Sequence, residues 1–307
     1  MKIVVTGTRG IPGIQGGVET HCQELYPLIA DEQHEIIVIR RPNYAVERSV
    51  QIYKQVAIKD ISAPRSKHLE AFVHTFKAVI YARKVKADIV HIHAVGPALM
   101  TPVARLLGMK VVITHHGPDY DRDKWGRFAK WILCMGERAG VYYANHIIVI
   151  SEHIRQIIYH QYSAKRNVTL IHNGVNVPTR VIGTEYLESL DLTEYGYVLA
   201  VGRFVKEKNL DQLVEAFTQL SSPSMKLVIA GDADFQDEYA QKLKEVCWKQ
   251  KNICLTGFIK GDKLAQLYTY AKVFVLPSTH EGLPIALLEA MSYGCPVLAS
   301  DIPANKE

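Results

Sequence analysis

The most restrictive feature of this 307-residue chain is an alternation that runs through it twice. Short, solidly apolar, β-branched runs stand at 2–7, 35–40, 88–93, 110–115, 146–150 and 168–172. Helix-length stretches near 17–30, 68–86, 97–107, 124–143 and 152–161 separate them. A run without polar alternation fits a parallel strand covered on both faces, with the intervening helix as its crossover. After a polar stretch at 177–195 the pattern restarts, with runs at 197–202, 226–231, 252–257, 273–276 and 296–300. Helical stretches at 209–220, 235–249, 261–271 and 283–293 lie between these. The spacing predicts an α/β chain of two tandem Rossmann-like, doubly wound domains, 1–176 and 196–307, joined by a linker at 177–195. Ligands of such sheets sit beyond the carboxyl ends of the strands, and two sheets facing each other would make a cleft there.

Composition excludes several other classes. With 48% apolar and 22% charged residues the chain can bury cores and is not of a disordered or low-complexity type. No apolar run reaches the roughly 18 to 20 residues of a membrane span, and residues 1–7 enter a strand pattern without a signal-peptide core. Cys22, Cys134, Cys247, Cys254 and Cys295 are widely and irregularly spaced, which predicts reduced, mostly buried thiols and a cytoplasmic location. The net charge of +5 is unevenly divided. Residues 1–176 hold 23 Lys/Arg against 14 Asp/Glu, and the remainder 13 against 17. A basic half suits an anionic membrane or a phosphorylated substrate; no zinc-finger, RRM or KH pattern points to nucleic acid.

Chemistry is concentrated in the loops that follow the strands. The first strand runs into a stretch containing Gly7, Gly10, Gly13, Gly16 and Gly17, then a helix opening at Val18-Glu19. Glycines let backbone approach an anion, and a helix N-terminus presents free N–H groups to it. The same glycines also suit a turn that needs positive φ. The spacing is not that of a dinucleotide fingerprint, and Arg40-Arg41 stands where a ribose-binding acid would be. An NADP-type site that uses arginine is therefore an alternative. His115 and His116 follow the strand at 110–115, where imidazole can meet a substrate hydroxyl, or simply pack. In the second half, Gly202-Arg203 and Lys208 flank a turn at a strand end, where two cations could neutralise a pyrophosphate. Glu281 and Glu289 stand on either side of a helix start, with the N–H groups around Gly282 and Leu283 aimed at an anion. Glu289, on a mostly apolar helix, needs a hydrogen-bond partner, and a ribose diol would supply one.

These segments resemble retaining GT-B glycosyltransferases of family 4. The likeness is carried by 201–208, by 281–291 with its two glutamates eight residues apart, by 171–175, and by Gly16-Gly17-Val18-Glu19. The loop 117–126 is also similar to that of rhamnosyltransferase-like members acting on bacterial surface polysaccharides. The resemblance implies transfer of a sugar from a nucleotide-diphosphate sugar to a glycan or lipid-linked acceptor. It implies that Arg203 and Lys208, with Gly202 ahead of them, bind the diphosphate, and that Glu289 holds the ribose. Glu281 would contact the donor sugar, and the backbone of Gly282, Leu283 and Pro284 the phosphate. Gly16 and Gly17 would close over it, and His116, in preference to His115, would stand near the sugar. The departing phosphate oxygen would take the acceptor's proton, so loss of either cation should cost about 3 kcal/mol or more.

No metal and no cofactor are expected beyond the nucleotide-sugar donor. The triplets Asp119-Tyr120-Asp121, Asp121-Arg122-Asp123 and Asp232-Ala233-Asp234 are weak evidence for a metal among 31 acidic residues, and the last suits a helix cap. Residues 122–131 mix basic and aromatic side chains, which fits either an interfacial helix at the inner face of the plasma membrane or a solvated helix with its tryptophans turned inward. Family members usually continue for some 50 residues more, so the second domain is expected to be incomplete. The alternatives are an inactive or nucleotide-binding fragment, and an NADP-dependent or sugar-nucleotide-modifying enzyme.

Overall fold

The computed structural model describes residues 1–45, 47–64, 70–122, 125–162, 167–178, 183–220, 224–234 and 237–307. It divides into two compact units, Met1–Asn173 with Glu307, and Gly174–Lys306. The expected linker at 177–195 is in part core of the second unit. It contains a short helix, α6 of the chain, at Glu185–Ser189, with Leu187 fully buried and Leu192 nearly so. A five-residue helix is too short to show a period, so it reads as polar loop.

The first unit is an eight-stranded sheet. Its strands are β1 (Lys2–Thr6), β2 (Glu35–Arg40), β3 (Ile52–Tyr53), β4 (Val56–Asp60), β5 (Ile89–His93), β6 (Lys110–His115), β7 (His146–Val149) and β8 (Val168–Leu170). They lie in the order β3-β4-β2-β1-β5-β6-β7-β8, parallel except for the β3–β4 pair at one edge. The helices are α1 (Gly17–Ile29), α2 (Glu70–Lys84), α3 (Thr101–Leu106), α4 (Arg127–Tyr143) and α5 (Glu152–Tyr162). Strand alternation sends Val4 into one core with Ala78, Val79 and Ala82 of α2, and Val5 into another with Cys22 and Tyr26 of α1. Both valines are fully buried. That is why the strand reads as an unbroken apolar run. Each such side chain contributes about 1.5–3 kcal/mol of transfer free energy.

The second unit repeats the plan with five strands, β9 (Tyr197–Val201), β10 (Lys226–Ala230), β11 (Ile253–Gly257), β12 (Val273–Leu276) and β13 (Val297–Ala299), in the order β11-β10-β9-β12-β13. Its pairs are all parallel. After α6 come α7 (Leu210–Thr218), α8 (Glu238–Trp248), α9 (Asp262–Tyr270), α10 (Ile285–Ser292) and α11 (Pro303–Lys306). One face packs Leu199, Val228 and Phe274 under α9 and α10; the other packs Ala200, Leu227 and Ile229 under α7 and α8. In each unit the chain winds outward from its first strand in one direction and then, after a crossover, in the other. The reversal falls between β1 and β5 in the first unit and between β9 and β12 in the second. Loops splay apart at such switch points and leave a crevice at the carboxyl edge.

All five cysteines are free, with Cys22, Cys247 and Cys295 buried and Cys134 exposed.

Candidate functional site

In the second unit the loops after β9 and β12 meet across the switch point. The amide of Thr279 donates to the carbonyl of Glu207 at 3.0 Å. Beside this tie the Lys208 ammonium pairs with the Glu281 carboxylate, the two side chains 17% and 12% exposed. Arg203 leaves the same turn toward the β10 side, where its guanidinium pairs with Asp234 at 2.9 Å. The two cations are thus each engaged by a different carboxylate. Gly202 directly follows β9, its amide donating to the Ala230 carbonyl at 2.9 Å, and the Lys208 stem runs past its Cα. Glu281 and Gly282 are half-buried, Leu283 and Pro284 are buried, and the four residues lead directly into α10 with Pro284 as its cap. The N-terminus of α10 therefore lies at the crevice, where its dipole favours an anion.

Glu289, in the second turn of α10, finds a partner in the protein. The buried Tyr268 hydroxyl donates to its Oε2 at 3.0 Å. A ribose is therefore not needed to satisfy this carboxylate. Burial, with the Glu289 charge behind it, pushes the Tyr268 phenol well above its ordinary range, so it stays a donor. The sequence also places a cap at Asp232 or Asp234, but the capping residue of α8 is Asp237, whose carboxylate accepts from Ala240 N at 3.0 Å. Asp232 pairs with Lys244 at 2.6 Å, and Asp234 with Arg203.

The carboxyl edge of the first unit carries a different chemistry. Gly7, at φ +93°, packs so closely on β5 that a Cβ there would strike the His93 carbonyl; at Gly16, φ +143°, a Cβ would run into the Glu19 carboxylate. Glu19 in turn holds Arg9 Nη2 at 3.0 Å and the Thr8 hydroxyl at 3.1 Å. Those two glycines are thus required by the fold of the loop. Gly17 differs, being exposed at the start of α1 with open space over its Cα. Arg40 is 1% exposed, and it is bound to Asp60 at 2.7 Å and to the carbonyls of Glu47, Arg48 and Val50. Its guanidinium is a structural brace, so Arg40 is not available to an NADP-type site.

Four histidines and a tyrosine converge at the carboxyl ends of β5 and β6. His93 Nδ1 lies 2.9 Å from His116 Nε2, and His93 Nε2 2.6 Å from the Tyr26 hydroxyl. The His91 and His93 rings stack at 4.4 Å, and His21 of α1 meets His93 and His116 edge-on at 5.7 and 5.3 Å. Burial pushes His91 down to about 3 and holds His93 and His116 well below the imidazole range, with neighbouring rings adding to the effect. The group is neutral at physiological pH and suits hydroxyls better than phosphate. The ligand nitrogens of His21, His93 and His116 lie within 4.8 Å of one another, so these are the residues that could hold a metal. His115 is separate: its Nε2 meets the Glu137 carboxylate at 2.8 Å. Burial acts to raise Glu137, but hydrogen bonds from His115, Tyr162 and Tyr120 outweigh it and keep the acid ionised. His116 thus belongs to the histidine cluster and His115 to a separate pair with Glu137. The missed residues are His21, Tyr26, His91 and His93. The legible signal was the pair at 91 and 93, which strand periodicity puts on one face.

The basic and aromatic stretch starts helix α4 at Arg127; Asp123 and Lys124 lie outside the described residues. Phe128 is 73% and Trp131 58% exposed, stacked at 6.0 Å, with Met135 one turn on. Trp131 does not turn inward. Arg127, Lys130 and Arg138 flank this apolar stripe. Among the described residues no helix is long and apolar enough to cross a membrane.

The family model described as Glycosyltransferase Family 4 matches residues 15–178, and that described as Glycosyl transferases group 1 matches residues 185–307. The chain is 27% identical to an uncharacterized glycosyltransferase of Methanocaldococcus jannaschii, over 98% of this chain and 81% of that protein. It is 25% identical to the UDP-Gal:alpha-D-GlcNAc-diphosphoundecaprenol alpha-1,3-galactosyltransferase of Escherichia coli, over 99% and 81%. Anabaena HepE in complex with UDP-glucose superposes with a TM-score of 0.80 at 16% identity, covering 100% of this chain and 82% of that one, a likeness of fold.

Proposed function

The chain belongs to glycosyltransferase family 4, and from that premise we propose that it transfers a sugar from a nucleoside-diphosphate sugar to a glycan or lipid-linked acceptor in cell-surface polysaccharide synthesis, with retention of configuration. The observation that carries this is the Lys208–Glu281 pair standing at the switch point of the second sheet, beside the N-terminus of α10. A cation, a carboxylate and a helix dipole in one crevice suit a sugar joined to a diphosphate. The E. coli relative's name couples such a donor with a lipid-diphosphate acceptor, which supports the same pairing here.

In this reading the diphosphate takes over Lys208 from Glu281 and Arg203 from Asp234. Glu281 is then released toward the sugar hydroxyls, and Glu289, aligned by Tyr268, accepts from the ribose. The backbone of Gly282, Leu283 and Pro284 borders the phosphates. The bond from the anomeric carbon to the phosphate oxygen breaks as the bond to the acceptor oxygen forms on the same face. The acceptor's proton passes to the departing phosphate, which Arg203 and Lys208 stabilise electrostatically. His116 meets a sugar hydroxyl, and no residue is needed as a covalent nucleophile. The stripe at Phe128 and Trp131, with its flanking cations, would rest the first unit on an anionic bilayer that carries the acceptor.

The test is release of nucleoside diphosphate from a panel of UDP-, GDP-, dTDP- and ADP-sugars with a lipid-linked acceptor, followed by NMR of the product's anomeric coupling. Release with one base and an unchanged anomeric configuration is expected. An inverted product contradicts the mechanism, and no release with any donor contradicts the function.

A further inference from the structure

Four hydrogen bonds run in series through the first unit. Thr114 Oγ1 lies 2.8 Å from His91 Nε2, His91 Nδ1 2.8 Å from the Tyr26 oxygen, that oxygen 2.6 Å from His93 Nε2, and His93 Nδ1 2.9 Å from His116 Nε2. Every one of these atoms can either donate or accept. Counting protons nevertheless leaves only two arrangements. The rings are neutral, so His91 and His93 each bring one N–H, and Tyr26 brings one O–H. Four bonds need four protons, and the fourth must come from one end. If Thr114 donates, His91 must donate from Nδ1, Tyr26 to His93, and His93 from Nδ1 to His116. If His116 donates instead, every bond reverses. A mixed arrangement leaves one bond with two protons or with none.

Thr114 decides between them. Its side chain is 1% exposed, and among the described residues its hydroxyl has His91 as its one partner. In the reversed arrangement the Thr114 proton would be buried without an acceptor, which carries the full desolvation cost of that group. In the forward arrangement every buried proton in the series is used. We propose that Thr114, His91, Tyr26 and His93 form a one-way relay that fixes His116 with an acceptor Nε2 and a donor Nδ1–H, making them positioning residues for His116. The ligand class this selects at Nδ1 is an oxygen with a free lone pair, such as a sugar hydroxyl. That His116 faces a sugar rests on the transfer reading above; its tautomer does not.

The chain is labelled with 15N-histidine, and long-range proton–nitrogen correlation reads the tautomer of each ring. The His116→Gln spectrum assigns the His116 signals. Wild type should show a single His116 species, protonated at Nδ1. Thr114→Val removes the deciding donor and Tyr26→Phe cuts the series, so each should turn that species into a mixture, while Thr114→Ser should restore it. A wild-type His116 protonated at Nε2, or a tautomer unmoved by both Thr114→Val and Tyr26→Phe, overturns the relay. So does a spectrum altered by EDTA, which would assign His93 Nδ1 and His116 Nε2 to a metal. The wild-type spectrum alone sets the direction, whatever the variants' stability. In transfer assays Thr114→Val should lower kcat/KM about fivefold, the effect of one neutral hydrogen bond, with affinity for the free nucleoside diphosphate unchanged. If no sugar is transferred but His116 shows the expected tautomer, the relay stands and the transfer reading falls.

Discussion

Lys208→Met separates the proposed diphosphate site from a merely structural ion pair. Methionine keeps the part of the stem that runs past Gly202 and removes only the charge. Lys208 and Glu281 are 17% and 12% exposed, so the ammonium sits where water screens it poorly. A hydrogen bond from such a charge contributes about 1.5–3 kcal/mol net. At about 1.4 kcal/mol per decade, Lys208→Met should weaken binding of the cognate nucleoside diphosphate about 10- to 150-fold. Glu281→Gln should act in the opposite sense. It frees Lys208 from its competitor, so the free diphosphate should bind several-fold tighter, while the sugar's added contribution should shrink. Titration calorimetry on the three proteins, with the diphosphate and with the intact donor, reads both effects. Lys208→Met binding within twofold of wild type would refute the assignment. So would Glu281→Gln weakening the free diphosphate, because Glu281 would then not be competing for Lys208.

Other outcomes follow from the same contacts. Tyr268→Phe removes the bond to Glu289 and should cost about 1 kcal/mol, a few degrees in Tm, together with a loss of nucleoside affinity. Unchanged nucleoside affinity would remove Glu289 from the ribose site. Stability should fall as pH drops below the ordinary imidazole range. His74 and His91 are each pushed down to about 3 by burial, and His93 and His116 are lowered too, so the unfolded chain takes up protons near pH 6.5 that the folded chain refuses. Each contributes a slope of up to about 1.4 kcal/mol per pH unit, from 6.5 down to its folded value. Urea midpoints that stay constant from pH 7 to pH 5 would contradict this. Phe128→Glu with Trp131→Glu should abolish co-sedimentation with anionic vesicles and leave nucleotide binding intact, whereas vesicle binding equal to wild type would remove the stripe from the membrane contact.

The fold was largely legible because both faces of each parallel sheet are covered. Val4 and Val5 enter different cores, so β1 has no polar face to interrupt its apolar run. The same logic explains the omissions. β4 lies near the edge of its sheet and exposes Lys59, and β3 has two residues, so neither makes an apolar run. The loops of the second unit announced themselves through glycine and a helix start. Their wiring did not. Arg203 finds Asp234 31 residues away, and Lys208 finds Glu281 73 residues away, pairings that only the meeting of β9, β10 and β12 creates. For the same reason the ribose was expected to satisfy Glu289, when Tyr268 of α9 already does. In the first unit His91 and His93 were written in period two, but Tyr26, which joins them, comes from a helix 65 residues earlier.

The most direct test is a thermal-shift panel with UDP, GDP, dTDP, ADP and NADPH on wild type and Glu289→Ala. A ligand at a hundred times its dissociation constant should stabilise the fold by about 2.7 kcal/mol. A clear shift with one nucleoside diphosphate, lost in Glu289→Ala, is expected. A shift with NADPH alone, or none with any diphosphate, would contradict transfer from a nucleoside-diphosphate sugar.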